Sequence, residues 1–212
     1  MQNNNSNKLI GVVLCGGKSS RMQSDKGLLS VYGKRWFEIS FDLLSKSMNY
    51  TLISVNFDQH SKYKEVRPEL EFVIDSTDSI EGPLRGIFSV HEKYPDCDLF
   101  ILACDMIAMD DRIINSLSMK YNPSSNIDLY LFKNEEVLET LCGIYTSNGI
   151  RKIKEEILKQ SKKNFAIRRL ISTCNSLILP VEIKEKNNFA NINTPGEINS
   201  NYERYYIKTD HT

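Results

Sequence analysis

Apolar residues along this chain fall into two kinds of run. Short blocks rich in Val, Ile and Leu occupy 9–15, 51–55, 72–74 and 99–103, and polar residues stop each one abruptly. Such blocks predict buried strands of a parallel sheet. Between them lie stretches whose apolar residues return every three or four positions. Residues 36–44 carry Phe37, Phe41 and Leu44 on one helical face, and 83–91 read as a helix with Pro83 in its first turn. A helix is also predicted over 112–119. Residues 129–132 and 137–145 read as strands joined by a turn at Lys133–Glu136, and 150–158 and 165–171 as helices. Residues 177–183 and 189–192 read as extended, with a helix from Pro195.

Strands and helices therefore alternate over the first two-thirds of the chain. That order predicts a Rossmann-like three-layer α/β/α fold with a mostly parallel sheet and right-handed crossovers. The pair at 129–145 breaks the alternation and is expected to form a small antiparallel annex. With 212 residues and no repeats or low-complexity linker, one domain over 1–212 is expected, with 1–8 as a disordered tail.

Composition narrows the function. The chain is 41% hydrophobic and 25% charged, and its 27 basic and 27 acidic side chains cancel. A nucleic-acid surface calls for a basic balance, so no nucleic-acid partner is expected. The polar, Asn-rich start lacks the pattern of a signal peptide and no apolar run has the length of a membrane span, so a cytoplasmic location is expected. Five scattered cysteines without a C-x-x-C pair, and three histidines, argue against zinc. Cys15 and Cys104 sit in apolar runs and read as small buried hydrophobes rather than nucleophiles.

The candidate chemistry begins where the first strand ends. Gly16 and Gly17 let backbone approach a ligand closely, successive N–H groups there can cradle an anion, and Lys18, Arg21 and Lys26 add positive charge. A P-loop is excluded by counting: Gly17-Lys18-Ser19 would need a glycine at 12, which is Val12. The dinucleotide fingerprint G-x-G-x-x-G is missing as well. Further along, Asp105 ends the most apolar strand. It suits Mg²⁺ better than a helix cap, because Asp110 is better placed to start the following helix. Asp75 suits either a turn or recognition of a base, and the residues alone leave that open.

G-G-K-S-S-R-M-Q-S-D-K-G at 16–27 resembles the signature G-G-x-S-x-R-M-G-x-D-K of the molybdenum cofactor guanylyltransferases, the MobA-like group. Four more matches follow in order: Ser54-Val55-Asn56, Ile74-Asp75 with Gly82-Pro83-Leu84-Arg85-Gly86, Cys104-Asp105-Met106, and Phe189-Ala190-Asn191-Ile192-Asn193-Thr194-Pro195. Gln23 stands where the family has Gly, Cys15 where Ala is common, and no Pro follows Asp105 closely.

The resemblance implies transfer of GMP from GTP to molybdopterin, with Mg²⁺ on Asp105 and with Lys26 and Arg21 countering phosphate charge. It implies nucleotide contacts by Leu14, Cys15, Gly16, Gly17, Lys26, Asn56, Asp75 and Asp105. It also allows transient contact with other cofactor-biosynthesis or molybdoenzyme proteins. Asn191 and Asn193, two apart on an expected strand, share a face, and the resemblance implies that they bind the acceptor. The alternative for them is turn-shaping ahead of a Thr194-Pro195-x-Glu197 cap. Arg168 and Arg169 read as a solvated face. The rival functions are cytidylyl transfer to the same acceptor, nucleotidyl transfer to a sugar phosphate, and a catalytically silent nucleotide-binding regulator.

Overall fold

The computed structural model describes residues 8–16, 25–31, 33–76, 80–159 and 167–190. In chain order the strands and helices are β1 (Lys8–Leu14), β2 (Ser30–Val31), β3 (Lys34–Arg35), α1 (Trp36–Ser47), β4 (Thr51–Val55), α2 (Phe57–Val66), β5 (Phe72–Ile74), α3 (Pro83–Lys93), β6 (Cys97–Ala103), α4 (Asp111–Ser118), β7 (Leu129–Asn134), β8 (Val137–Tyr145), α5 (Ser147–Leu158), α6 (Ile167–Ile171) and β9 (Ser176–Pro180). Two 3₁₀ segments are described as well, Lys26–Leu28 between β1 and β2 and Ile183–Phe189 after β9.

Seven strands form one sheet in the order β5-β4-β1-β6-β8-β7-β9. β1 lies between β4 and β6, parallel to both, with Val13 opposite Ile53 and Leu102. β8 alone runs against the others: it is antiparallel to β6 and to β7, and β9 is parallel to β7.

Side chains of β1 and β6 alternate between the two faces, as strand geometry requires. Ile10, Val12, Leu14, Leu99 and Ile101 join a core with Leu84, Ile87 and Phe88 of α3 and Ile150 and Ile153 of α5. Val13, Cys15, Phe100, Leu102 and Cys104 join a second core with Phe37 and Leu44 of α1, Tyr63 of α2 and Ile113, Ile114 and Leu117 of α4. Both faces of the sheet are thus covered by helices, the three-layer α/β/α arrangement. Each fully buried aliphatic side chain in these layers contributes about 1.5–3 kcal/mol relative to exposure.

The structure corrects three expectations. β7 and β8 are not a separate annex. The buried stretch Cys142–Tyr145 of β8 pairs directly with Leu99–Leu102 of β6, so apolar burial draws the hairpin into the main sheet. The small antiparallel unit is the ribbon β2–β3. Lys8, placed in the tail, opens β1 opposite Cys97. Ile183 and Phe189, expected at the ends of two extended runs, instead belong to one 3₁₀ segment, Ile183–Phe189, with Phe189 anchored by its ring 5.1 Å from that of Phe132. Helix α2 went unpredicted because only Gln59 and Tyr63 of its ten residues are buried. The helix expected from Pro195 lies outside the described residues.

Candidate active site

Strands β5, β4, β1 and β6 end at one edge of the sheet. Asp75 N–H donates to the Val55 carbonyl at 2.8 Å, Cys15 N–H to Ser54 at 2.9 Å and Cys104 N–H to Leu14 at 3.1 Å. The ladder so continues one residue past each strand, and then the chain turns away. Gly16, Asp75 and Asp105 come to lie along this carboxyl edge, where open α/β sheets bind ligands.

One half of the edge forms a recess around Asp75. A Cβ at Gly16 would sit 2.4 Å from Asp75 Oδ2, so the carboxylate rests directly on the glycine backbone. Only glycine permits that approach. Ser54 Oγ donates to Asp75 Oδ1 at 2.7 Å. Burial raises the Asp75 carboxyl above its ordinary range, against the Ser54 hydrogen bond and the charge of Arg85. Arg85 is held by its Nε on the Ile80 carbonyl at 2.7 Å. A cleft of about 360 Å³ opens here, lined by Gly16, Asn56, Asp58, Asp75, Glu81, Gly82 and Arg85.

Asn56 shapes this recess as well as lining it. Its Oδ1 accepts from Gln59 N–H at 2.9 Å, and Gln59 Oε1 accepts from Asn56 N–H at 3.0 Å. This reciprocal cap starts α2. Gln59 also donates through Nε2 to the Cys15 carbonyl at 3.2 Å, which fixes the helix start to the end of β1.

The other half of the edge is an ion pair. Lys26 Nζ stands 3.0 Å from Asp105 Oδ2, with the two side chains 22% and 20% exposed. The capping alternative for Asp105 fails, because Asp110 caps α4 by accepting from Arg112 N–H at 2.7 Å. Lys26 opens the 3₁₀ turn Lys26–Leu28, which Asp25 caps by accepting from Gly27 N–H at 3.1 Å. Tyr63, reaching across from α2, donates its hydroxyl to the same Asp25 oxygen at 2.7 Å. No signal in the sequence marked Tyr63 or Gln59 as part of this edge, since both ride on the unpredicted helix, and the match at Ser54-Val55-Asn56 gave no role to Ser54.

Asp105 is a strand-end carboxylate that could hold a metal here. Among the described residues no three Asp, Glu, His or Cys groups cluster as a complete metal cage. A lone hard carboxylate fits Mg²⁺, which is held by one or two carboxylates together with substrate phosphates and water. Cys15 and Cys104 are buried, and burial, aided by Cys104, pushes the Cys15 thiol well above its usual range, which leaves it poorly suited to act as a nucleophile.

Of the other expected site residues, Leu14 ends β1 and is buried. Gly17, Lys18, Arg21, Asn191 and Asn193 lie outside the described residues. Arg169 is exposed on α6, consistent with a solvated face. The described chain ends at Ala190, after Asn188 donates to the Ala108 carbonyl at 2.6 Å. That bond ties the second 3₁₀ segment to the loop that follows Asp105.

A cleft and an ion pair thus lie at the carboxyl edge of a mostly parallel α/β sheet, where such sheets take their ligands. Residues 11–175 match the model of the MobA-like NTP transferase domain, and the chain belongs to that family. It is 30% identical over 192 residues to a probable molybdenum cofactor guanylyltransferase of Flavobacterium johnsoniae, covering 90% of this chain and 95% of the relative. It is also 30% identical over 139 residues to a molybdenum cofactor biosynthesis bifunctional protein of Synechocystis, covering 65% of this chain and 39% of that longer protein. The fold is shared with molybdopterin-guanine dinucleotide biosynthesis protein A of Archaeoglobus fulgidus, with a TM-score of 0.73 at 22% identity over 92% of this chain and 97% of the other. Among the described residues no helix is long and apolar enough to cross a membrane.

Proposed function

We propose that this chain transfers GMP from GTP to a molybdopterin-type acceptor, giving the guanine dinucleotide cofactor and pyrophosphate. The observation that carries this reading is the pairing of Lys26 with Asp105 at 3.0 Å, beside the Gly16–Asp75 recess, in a MobA-like chain.

Guanine presents N1–H and an exocyclic amine side by side. A carboxylate accepts both, and Asp75 stands in the recess with Oδ1 held by Ser54 and Oδ2 against Gly16. Cytosine offers a different edge and leaves that carboxylate unmatched. Binding GTP here directs its phosphates toward Lys26. The acceptor's terminal phosphate oxygen forms a bond to the α-phosphorus as the bond from that phosphorus to the bridging oxygen breaks, and pyrophosphate leaves. Lys26 and Arg21 stabilise the charge that moves onto the leaving pyrophosphate, and Asn191 and Asn193 present amides to the acceptor. Asp105 would hold Mg²⁺, which supplies Lewis-acid neutralisation of phosphate charge when bound.

Thermal unfolding with GTP, CTP, UTP and ATP, each with Mg²⁺, tests the reading. GTP is expected to give the largest rise in Tm, because stabilisation follows RT ln(1 + [L]/Kd). A larger rise with CTP would replace guanylyl by cytidylyl transfer. Asp105→Ala is expected to keep the fold and to lose about a hundredfold or more in pyrophosphate release. Nucleotide binding without any release by the unaltered chain would point to a silent regulator.

A further inference from the structure

Beneath the ion pair lies an arrangement that the transfer reaction does not itself use. Tyr63 is fully buried, its ring 4.8 Å from that of Phe37 and 6.3 Å from that of Phe72. Its hydroxyl and the Gly27 N–H converge on a single oxygen of Asp25. The other Asp25 oxygen is buried without a hydrogen-bond partner among the described residues. The 3₁₀ turn that carries Lys26 closes on this carboxylate's own backbone, through Leu28 N–H to the Asp25 carbonyl at 3.1 Å. A Cβ at Gly27 would lie 2.0 Å from the Tyr63 hydroxyl, so the phenol presses against the turn's backbone. Burial, with the charges around it, keeps the phenol far from ionising, so it remains a donor.

We infer that Tyr63 is a positioning residue that sets Lys26 against the reacting phosphates by fixing Asp25, the cap of its turn. Without the hydroxyl, a half-buried carboxylate whose other oxygen has no partner among the described residues keeps one donor instead of two, and an acceptor that loses a partner in such a place is costly enough to shift the turn. Lys26 then moves relative to the α-phosphorus, and displacements on the order of 1 Å can cost about a hundredfold in rate. Ground-state attraction of a triphosphate falls off gently with distance, whereas stabilisation of the transition state depends on placement. The loss therefore belongs in kcat rather than KM.

The inference rests on the proposed transfer reaction, and the test separates the two. Pyrophosphate release from GTP with molybdopterin is measured for the unaltered chain, Tyr63→Phe, Lys26→Ala and the double variant, alongside Tm. Tyr63→Phe keeps the ring and its packing. The expected result is a kcat lower by about 10- to 100-fold, a KM for GTP within about threefold of the unaltered value, and a Tm within a few degrees. In the Lys26→Ala background the same change is expected to cost less than about twofold, because its effect runs through Lys26. An equal fold loss in both backgrounds, a loss carried by KM, or full activity in Tyr63→Phe overturns the positioning role. Should Tyr63→Phe not fold, Asp25→Ala replaces it in the same cycle with the same expected and overturning results. An unaltered chain that releases no pyrophosphate overturns the proposed reaction, and this inference with it.

Discussion

Two regions of the sheet treat their carboxylates in opposite ways, fully buried ones in the first and half-buried ones in the second. Around β6, β7, β8 and β9 they are saturated. Asp128, 1% exposed, accepts from Lys152 at 2.7 and 2.8 Å, from Asn148 at 2.8 Å and from Asn175 N–H at 2.9 Å. Asp98, also 1% exposed, accepts from Tyr121 at 2.6 Å and from Ser147 N–H at 2.7 Å. Along the edge shared by β5, β4 and β1 they are left short. Among the described residues Asp75 receives one side-chain hydrogen bond, from Ser54, and Asp25 has an oxygen with none. A satisfied buried network holds structure together, whereas an unsatisfied one stores cost that a ligand can relieve. The contrast sets the first region apart as the frame and the second as the place where a ligand could relieve that cost.

The largest expected effect comes from breaking the frame. Asp128→Ala strands the donors of Asn148 and Asn175 and should cost about 2–4 kcal/mol, read as a fall in the urea midpoint. A loss below about 1 kcal/mol would mean that the carboxylate is not what joins β7, α5 and β9.

Acid should attack the same region. His91 is buried, with Nε2 3.2 Å from Ser147 Oγ and Lys154 beside Nδ1, and burial followed by that lysine's charge lowers its pKa to about 4. Between pH 6.5, the ordinary value, and about 4 the unfolded chain binds a proton that the folded chain refuses. Stability should therefore be full above the upper limit and fall through that window, by about 1–3 kcal/mol from this residue. Urea midpoints across the window check it, and His91→Gln should flatten the slope. Glu71 would add a separate loss at lower pH. Burial works against its ionisation, but hydrogen bonds from Lys93, Tyr50 and Tyr94 outweigh that and hold its carboxyl at about 2.

The smallest effect on stability is expected in the other region. Asp75→Asn removes a charge that burial disfavours, so the Tm of the free chain should hold level or rise slightly. The additional Tm rise given by GTP over the other triphosphates should vanish with it. A destabilisation like that of Asp128→Ala would erase the distinction between the two regions.

The frame and the binding edge were also unequally legible in the sequence. β4, β5 and β8 begin and end where their apolar blocks do, because a buried strand is written in consecutive residues. Asp105 was legible as a strand-end carboxylate for the same reason. Its partner was not: Lys26 is 79 positions away, and the residue pattern gives no sign that the two meet. Only the resemblance of the segment at 16–27 to a known family joined them. α2 escaped because Phe57 is exposed and the helix is specified by its cap, Asn56 with Gln59, more than by an apolar stripe. The role of Tyr63 was lost with that helix. The ribbon β2–β3 escaped because two-residue strands are too short to show alternation.

The central place of β1 sets the order in which the molecule can assemble. Its register with β6 joins Lys8 to Cys97 and Leu14 to Ala103, so one entire ladder of the first strand waits for chain that is synthesised much later. Pairings of such long sequence separation form slowly, and an emerging polypeptide exposes the unpaired edge until they do. Lys26 leaves the ribosome long before the carboxylate that neutralises it. A nascent chain that stops short of β6 lacks Asp105, so the Lys26–Asp105 pair marks the completion of the sheet rather than an early step in its folding.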